Sequence, residues 1–554
     1  MSHIPSLNNR CSLGLAILVM IMMNGFSLLG QDANPYETIL AQEFEAYQSG
    51  AAVLVVKEGE TLFRGGIGFA NIDQGEKISP THLFRIGSIT KTFTAVAILQ
   101  LTEQGKLDIS DPVQAYLPDY PKNGKEMRIE HLLTHTAGIK PYTGMAEVAH
   151  LQDKAATPEQ IIDVFKDAPT EFTPGEQYRY NNYGYILLGA IIEQVSGMRY
   201  GAYLEKAIFK PLGMKDTYFG DAQEATKEQA IGYEQDNGAY QHAPYLNMAI
   251  PYAAGGLVST VDDLHKWMQA LQANKVISES SLQQAFSSYR LEGGASTPYG
   301  YGWQLAELYG QQVVGHDGVI QGFLSNMIYL PKEDLFVAVL SNCTCKNPVG
   351  LANKLAAFAI GEYPLVSKGP LDASTIDPYV GQYQYEGKRK HEIFHEDGQL
   401  YSLTTGDRRR PLYMGATDQF FFEEGLISIE FVRNEAGEVV GLKRVEAGKV
   451  VAEAAKQSNT VAQKEAIQLK AKELQEYVGK YDLGPFHLFI TLEEDKLFGQ
   501  PEGQSKEQLF AKAKDHLFLK TVDAEMEFFR KDGQVQAVKV TIGNNSFQGK
   551  LVQD

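Results

Sequence analysis

Two short apolar runs, residues 51–56 and 61–70, flank the polar tetrapeptide Lys57-Glu58-Gly59-Glu60, a pattern that predicts a β-hairpin. A longer apolar run follows, from Phe84 to Leu101. It reads as a helix entered at Gly87 and stopped at Gly105. Helical patterning then dominates to about residue 290. Thr157-Pro158-Glu159-Gln160 is a capping box with proline at the first helical position. Residues 185–195 form an apolar helix ended by Gly197, and residues 264–271 form another after Ser259-Thr260. Strand patterning returns at 311–316, 322–330 and 335–340, with Pro331-Lys332-Glu333-Asp334 as the turn of a second hairpin. Strands at both ends with helices between predict one α/β domain: an antiparallel sheet covered by helices, plus a helical subdomain. It closes near residue 365, where Gly361-Glu362-Tyr363-Pro364 and Lys368-Gly369-Pro370 read as a linker.

Beyond that point the chain is rich in strand formers and repeats itself at an offset of roughly a hundred residues, too long for a solenoid unit. Tyr379-Val380-Gly381-Gln382-Tyr383 recurs as Tyr477-Val478-Gly479-Lys480-Tyr481. Ala416-Thr417-Asp418-Gln419-Phe420 recurs as Ala513-Lys514-Asp515-His516-Leu517, and Glu430-Phe431-Val432-Arg433 as Glu527-Phe528-Phe529-Arg530. Two small antiparallel β-barrels are expected, at 366–455 and 471–554. The polar, alanine-rich stretch from Ala452 to Lys472 reads as a linker or helix, with the linker proper at 456–470.

Composition narrows the partners. The 554 residues carry a formal net charge of −18, which argues against nucleic acid and anionic membrane surfaces. Residues 1–30, with Arg10 ahead of an apolar stretch from Leu13 to Met23, read as a secretory signal, so a periplasmic or secreted protein is expected. The domain that follows is assigned to residues 31–365. Of the three cysteines, Cys343 and Cys345 lie outside that signal, and they read as bystanders.

The chemistry concentrates at Ser88-Ile89-Thr90-Lys91. Positions i and i+3 share a helix face, so the Ser88 hydroxyl and the Lys91 amine can meet. A lysine in a first helical turn opposes the partial positive charge there, and burial would lower its pKa further. A neutral amine can then take the serine proton and activate the hydroxyl. The plain alternative is an N-cap serine and a solvated lysine. Tyr180-Asn181-Asn182 is a second candidate: Tyr180 for proton relay, Asn182 for holding a substrate carbonyl or the lysine. Gly315-His316-Asp317-Gly318, at the end of an apolar strand, is a third, against a hairpin or bulge turn as the alternative. Backbone N–H groups at Ser88 and Val319 would form an oxyanion hole. His131 and His135, spaced i,i+4 without a glutamate between, read as structural rather than as zinc ligands.

Taken in order, the motifs resemble the serine β-lactamase-like superfamily, on its class C and peptidase S12 branch. The matching stretches are residues 84–94, 129–138, 174–189, 208–214, 254–260 and 315–323. The resemblance implies a β-lactamase-like fold in which Ser88 forms an acyl-enzyme, Lys91 is the general base and Tyr180 shares proton transfer. It puts His316, Asp317 and Gly318 where penicillin-recognising relatives carry Lys-Thr-Gly, with Asn182 and Val319 also facing substrate. An acid at Asp317 would repel a substrate carboxylate and attract an ammonium. The departure favours a small ester, amide or short peptide, D-amino-acid-like, over a β-lactam or a DD-peptidase substrate. The terminal barrels resemble the lipocalin-like domains of D-aminopeptidase-type relatives. No cofactor and no metal is called for, and oligomeric state is left open. The alternatives are a non-catalytic sensor of the same fold, or barrels that carry an apolar ligand.

Overall fold

The computed structural model describes residues 34–44, 48–121, 126–140, 156–220, 229–236, 238–366, 370–387, 389–423, 426–461 and 465–552. The expected signal at 1–30 lies outside them. Two compact units emerge: Met1–Ala306 with Gln312–Ala359, and Glu307–Gln311 with Ile360–Asp554.

The first unit is built on a six-stranded antiparallel sheet. Its strands are β1 (Ala51–Lys57), β2 (Glu60–Ile67), β3 (Gln304–Leu308), β4 (Gln311–Ile320), β5 (Phe323–Leu330) and β6 (Leu335–Ser341), in the order β3-β4-β5-β6-β1-β2. The N-terminal hairpin joins the later strands through β1 and β6, in register from Ala51↔Ser341 to Lys57↔Leu335. Every residue of β6 is buried, as is β1 through Val56, so both sheet faces are covered. Five helices matter here: α1 (Thr90–Glu103), α2 (Asn182–Ser196), α3 (Tyr252–Gly255), α4 (Val261–Gln272) and α5 (Pro348–Ala359). α4 and α5 pack on the sheet, while α1 packs against α2 and α3. α1 is buried nearly all round, at eleven of its 14 residues including the polar Thr90, Lys91, Thr92 and Thr94, so it runs through the core.

Local signals explain the boundaries. Gly105, in the left-handed region at φ 65°, follows the end of α1. Thr157 caps a short helix, Pro158–Asp163, with Gln160 reaching back to its N–H. Thr260 caps α4 by accepting from the Asp263 N–H. β4 departs from expectation. It does not stop at His316 but continues to Ile320, pairing Gly315, His316, Asp317 and Gly318 with Ile328, Met327, Asn326 and Ser325. The candidate cluster is mid-strand rather than a turn, because its two glycines let neighbouring backbone come close on both sides.

The second unit holds two closed eight-stranded antiparallel barrels, one from Gly381–Tyr385 (β7) to Lys449–Ser458 (β14), the other from Gly479–Asp482 (β15) to Asn545–Leu551 (β22). The first closes through four residue pairs, Gln382↔Ser458 to Tyr385↔Ala454. The second closes through two, Tyr481↔Leu551 and Asp482↔Lys550. β14 reaches Ser458, so Lys456, Gln457 and Ser458 are strand rather than the linker expected there; alternating burial along 451–458 supplies the strand pattern that the alanines obscured.

The sequence repeat becomes a repeated latch. In the first barrel Tyr383 Oη donates to the Tyr379 carbonyl at 2.7 Å, and Arg433 Nε and Nη2 donate to Asp418. In the second, Tyr481 Oη donates to the Tyr477 carbonyl at 2.9 Å, and Arg530 Nε donates to Asp515. Asp418 and Asp515 both sit in the left-handed region, at φ 65° and 67°. Apolar side chains fill each barrel, centred on Ile393, Leu412 and Ile429 in one and Tyr481, Leu497 and Val538 in the other. Cys343 and Cys345, read as bystanders, form a disulfide: the turn after β6 brings their Cα atoms to 5.2 Å, within reach of a bridge.

Candidate active site

Ser88 sits on a tight 3-10 turn, Gly87–Ile89, immediately ahead of α1. Gly87 has φ 50°, and a Cβ there would lie 2.9 Å from the Val319 nitrogen, so glycine lets β4 come up against the turn. From one helical turn on, Lys91 reaches back. Its side chain is fully buried, and Nζ lies 2.9 Å from Ser88 Oγ, 2.8 Å from Asn182 Oδ1 and 2.8 Å from the Ala254 carbonyl. Burial lowers the Lys91 pKa from 10.5 to about 7, against a smaller opposing pull from Asp317.

That geometry suits a base. A neutral amine has two hydrogens and one lone pair. Asn182 Oδ1 and the Ala254 carbonyl accept the two hydrogens, and the lone pair is left for the Ser88 hydroxyl. Asn182 is placed by its position at the start of α2, directly after Asn181, whose Oδ1 accepts from the Tyr183 N–H at 2.7 Å. The Tyr180 ring centroid lies 4.9 Å from Lys91 Nζ, so the phenol belongs to the same group.

β4 supplies the opposite wall. A Cβ on Gly318 would meet the Ile86 carbonyl at 2.1 Å and Ser325 Oγ at 2.2 Å; without one, Ser325 Oγ donates to that carbonyl at 2.9 Å. This ties β5 to the residue before Gly87 and sets Val319 beside the turn. Val319 and Ser88 line one pocket of about 100 Å³, whose other walls include Ile186, Leu246, Ile250 and Ile320. None of the described residues lining it is charged.

His316 and Asp317 both have partners within the protein. His316 is 1% exposed; Nε2 is 2.7 Å from Tyr299 Oη and Nδ1 is 2.6 Å from the Asp317 carbonyl, so Nδ1 carries the proton and Nε2 accepts from the phenol. Burial and then the nearby Lys91 push its pKa down, which keeps the ring neutral. Asp317 accepts from Gln304 Nε2, while the Asp317 N–H donates to Gln304 Oε1 at 3.2 Å. His316 is thus held within the protein with its ring 6.1 Å from that of Tyr180, and Asp317 is engaged by an amide.

Several contributors were invisible in the sequence. Tyr299, Gln304 and Ser325 come from segments with no local motif. The Ala254 carbonyl lies in the Ala254-Gly255-Gly256 stretch, but backbone acceptors leave no residue-type signature. His131 and His135 each accept a backbone N–H at Nδ1, from Arg128 at 3.2 Å and from Asn181 at 3.1 Å.

The chain is similar to several known proteins. Residues 40–362 match the family model described as Beta-lactamase, and residues 463–553 match a domain of unknown function, DUF3471. Penicillin-binding protein 4* of Bacillus subtilis (strain 168) is 29% identical over 423 residues, covering 72% of this chain and 93% of that protein. Among solved structures, an octameric penicillin-binding protein homologue from Pyrococcus abyssi superposes with a TM-score of 0.53 at 28% identity, over 76% of this chain and 98% of that one. A D-stereospecific amidohydrolase from Streptomyces sp. gives 0.50 at 26% identity, over 60% and 99%.

Proposed function

Because this chain belongs to the β-lactamase family, we propose that it hydrolyses small esters or amides through an acyl-enzyme on Ser88. The carrying observation is the buried Lys91 amine 2.9 Å from Ser88 Oγ. Ser88 Oγ attacks the substrate carbonyl while its proton passes to the Lys91 lone pair. The Ser88 and Val319 N–H groups receive the developing oxyanion. Collapse of the tetrahedral intermediate breaks the bond to the alcohol or amine, which leaves with a proton relayed through Lys91 and Tyr180. Water then attacks the acyl-enzyme, gives up its proton by the same route, and frees the acid and Ser88.

The pocket supports substrates with a neutral acyl group, since its lining offers Ile186, Leu246, Ile250 and Ile320 beside the uncharged amides of Asn182 and Gln321 and no charged side chain. A neutral, buried His316 and an Asp317 held by Gln304 offer no cation to a substrate carboxylate, which counts against the β-lactam and DD-peptidase alternatives. Relatives named for D-amino-acid amide chemistry keep the amide reading in view. The expected leader and the Cys343–Cys345 pair fit a periplasmic or secreted protein. The test is labelling with a fluorophosphonate, followed by turnover of p-nitrophenyl butyrate, a D-alanyl anilide and a chromogenic cephalosporin. Labelling should occur at Ser88 and vanish in Ser88→Ala, with the butyrate ester turned over fastest. Labelling that survives the substitution would remove the assignment, and a wild type that labels yet turns over nothing would favour the sensor reading.

A further inference from the structure

We propose that His135 is the positioning residue of this site: it clamps the backbone on both sides of Tyr180 and so holds the phenol beside Lys91. The inference rests on the hydrolase reading and adds a role outside the Ser88, Lys91 and Tyr180 group.

His135 follows the short helix Ile129–Leu133 and is 2% exposed. Its carbonyl accepts from the Arg179 N–H at 2.9 Å, and its Nδ1 accepts from the Asn181 N–H at 3.1 Å. The two bonds bracket Tyr180 with one residue to either side. The imidazole then packs on the phenol itself, with ring centroids 4.3 Å apart, and on Tyr299 at 4.5 Å. Backbone and ring of Tyr180 are thus fixed from one neighbouring residue.

Two further observations set His135 apart from an ordinary core histidine. Its φ is 58°, a left-handed conformation that is strained for a non-glycine residue and persists where the surroundings enforce it. Its Nε2 is buried without a hydrogen-bond partner among the described residues. The cost of holding that atom dry falls on a residue whose other nitrogen performs the clamp. As an acceptor from an N–H, Nδ1 must be unprotonated, and burial, with Lys91 and His316 nearby, keeps the ring neutral.

Two variants separate the clamp from general packing. His135→Asn keeps an acceptor and tolerates a positive φ. His135→Phe keeps a ring and loses the acceptor. Each is made in the wild-type and the Tyr180→Phe backgrounds. The readouts are the rate of fluorophosphonate labelling at Ser88, kcat and KM on p-nitrophenyl butyrate, and the melting temperature. The expected result is a 10- to 100-fold loss of labelling rate and kcat in His135→Phe with KM within threefold, and near-wild-type rates in His135→Asn. In the Tyr180→Phe background, His135→Phe should cost less than threefold. An equal loss in both backgrounds would overturn the clamp and leave His135 structural, as would unchanged rates in His135→Phe. If His135→Phe does not fold, the Asn variant decides: a loss there beyond tenfold overturns the proposal. A wild type that does not label at Ser88 sinks the hydrolase reading and this inference with it, whereas one that labels normally isolates the clamp.

Discussion

Lys91 Nζ has two carbonyl-type acceptors, Asn182 Oδ1 and the Ala254 oxygen, which take the two hydrogens of the free base and leave its lone pair to the Ser88 hydroxyl. The proposed acyl transfer needs that neutral amine, because an ammonium has no lone pair to take the serine proton. With a pKa lowered to about 7, kcat/KM should climb tenfold per pH unit below that value and level off above it, in a pH–rate profile on a neutral ester. The sign for stability follows from the same shift. Between about pH 7 and 10.5 the folded chain binds fewer protons at Lys91 than the unfolded chain does, so raising the pH across that window favours the fold. Asn182→Asp would put a carboxylate against Nζ and raise its pKa, so the acid limb should move at least one unit alkaline in the same assay. Lys91→Arg should lose about 10³-fold or more, because a guanidinium does not release its proton near neutral pH. The serine and lysine were legible in the sequence because a helix fixes what lies one turn apart. Tyr299 and His135 were not, because their place beside Tyr180 depends on chain segments that meet only in the fold.

Strand β4 is where element geometry and chemistry coincide. Its apolar pattern ended at His316 in the sequence, yet hydrogen bonding carries it to Ile320, since the two glycines cost propensity but admit close backbone neighbours. Gly318→Ala should destabilise the first unit by about 1–3 kcal/mol through overpacking against the immobile Ile86 carbonyl. It should also slow Ser88 labelling by spreading Val319 from the nucleophile turn; denaturant melts and labelling rates check both. The barrels read well from sequence because their repeats mark working parts: Tyr379, Asp418 and Arg433 in one latch, Tyr477, Asp515 and Arg530 in the other. Arg433 and Arg530 hold both aspartates below their usual range, so Asp515→Asn should cost about 1 kcal/mol at neutral pH, and little once acid has protonated the wild-type carboxylate. The interiors diverge where the latches agree. The first barrel buries His391 between Tyr385 Oη at 2.8 Å and Ser402 Oγ at 2.7 Å, whereas Leu483, Leu488 and Gly499 occupy the corresponding places of the second. One closed architecture tolerates both fillings, so periodicity alone could not tell them apart.

At the scale of the molecule, the cores are separate, and both tryptophans of the chain, Trp267 and Trp303, are buried in the first unit. Tryptophan emission should therefore report that unit alone, while far-UV circular dichroism reports all of them. The two signals should trace non-coincident transitions in a urea titration; a single shared midpoint would show that the chain melts as one cooperative body. The seam of the second barrel carries a different consequence. Sixteen consecutive strands would be a strong template for self-association if their margins were open, and closure is what silences them. In the second barrel that silence depends on two residue pairs between β15 and β22. A nick or thermal excursion that parts them uncovers two unpaired margins at once, so light scattering in a heating experiment should rise before the tryptophan signal of the first unit changes.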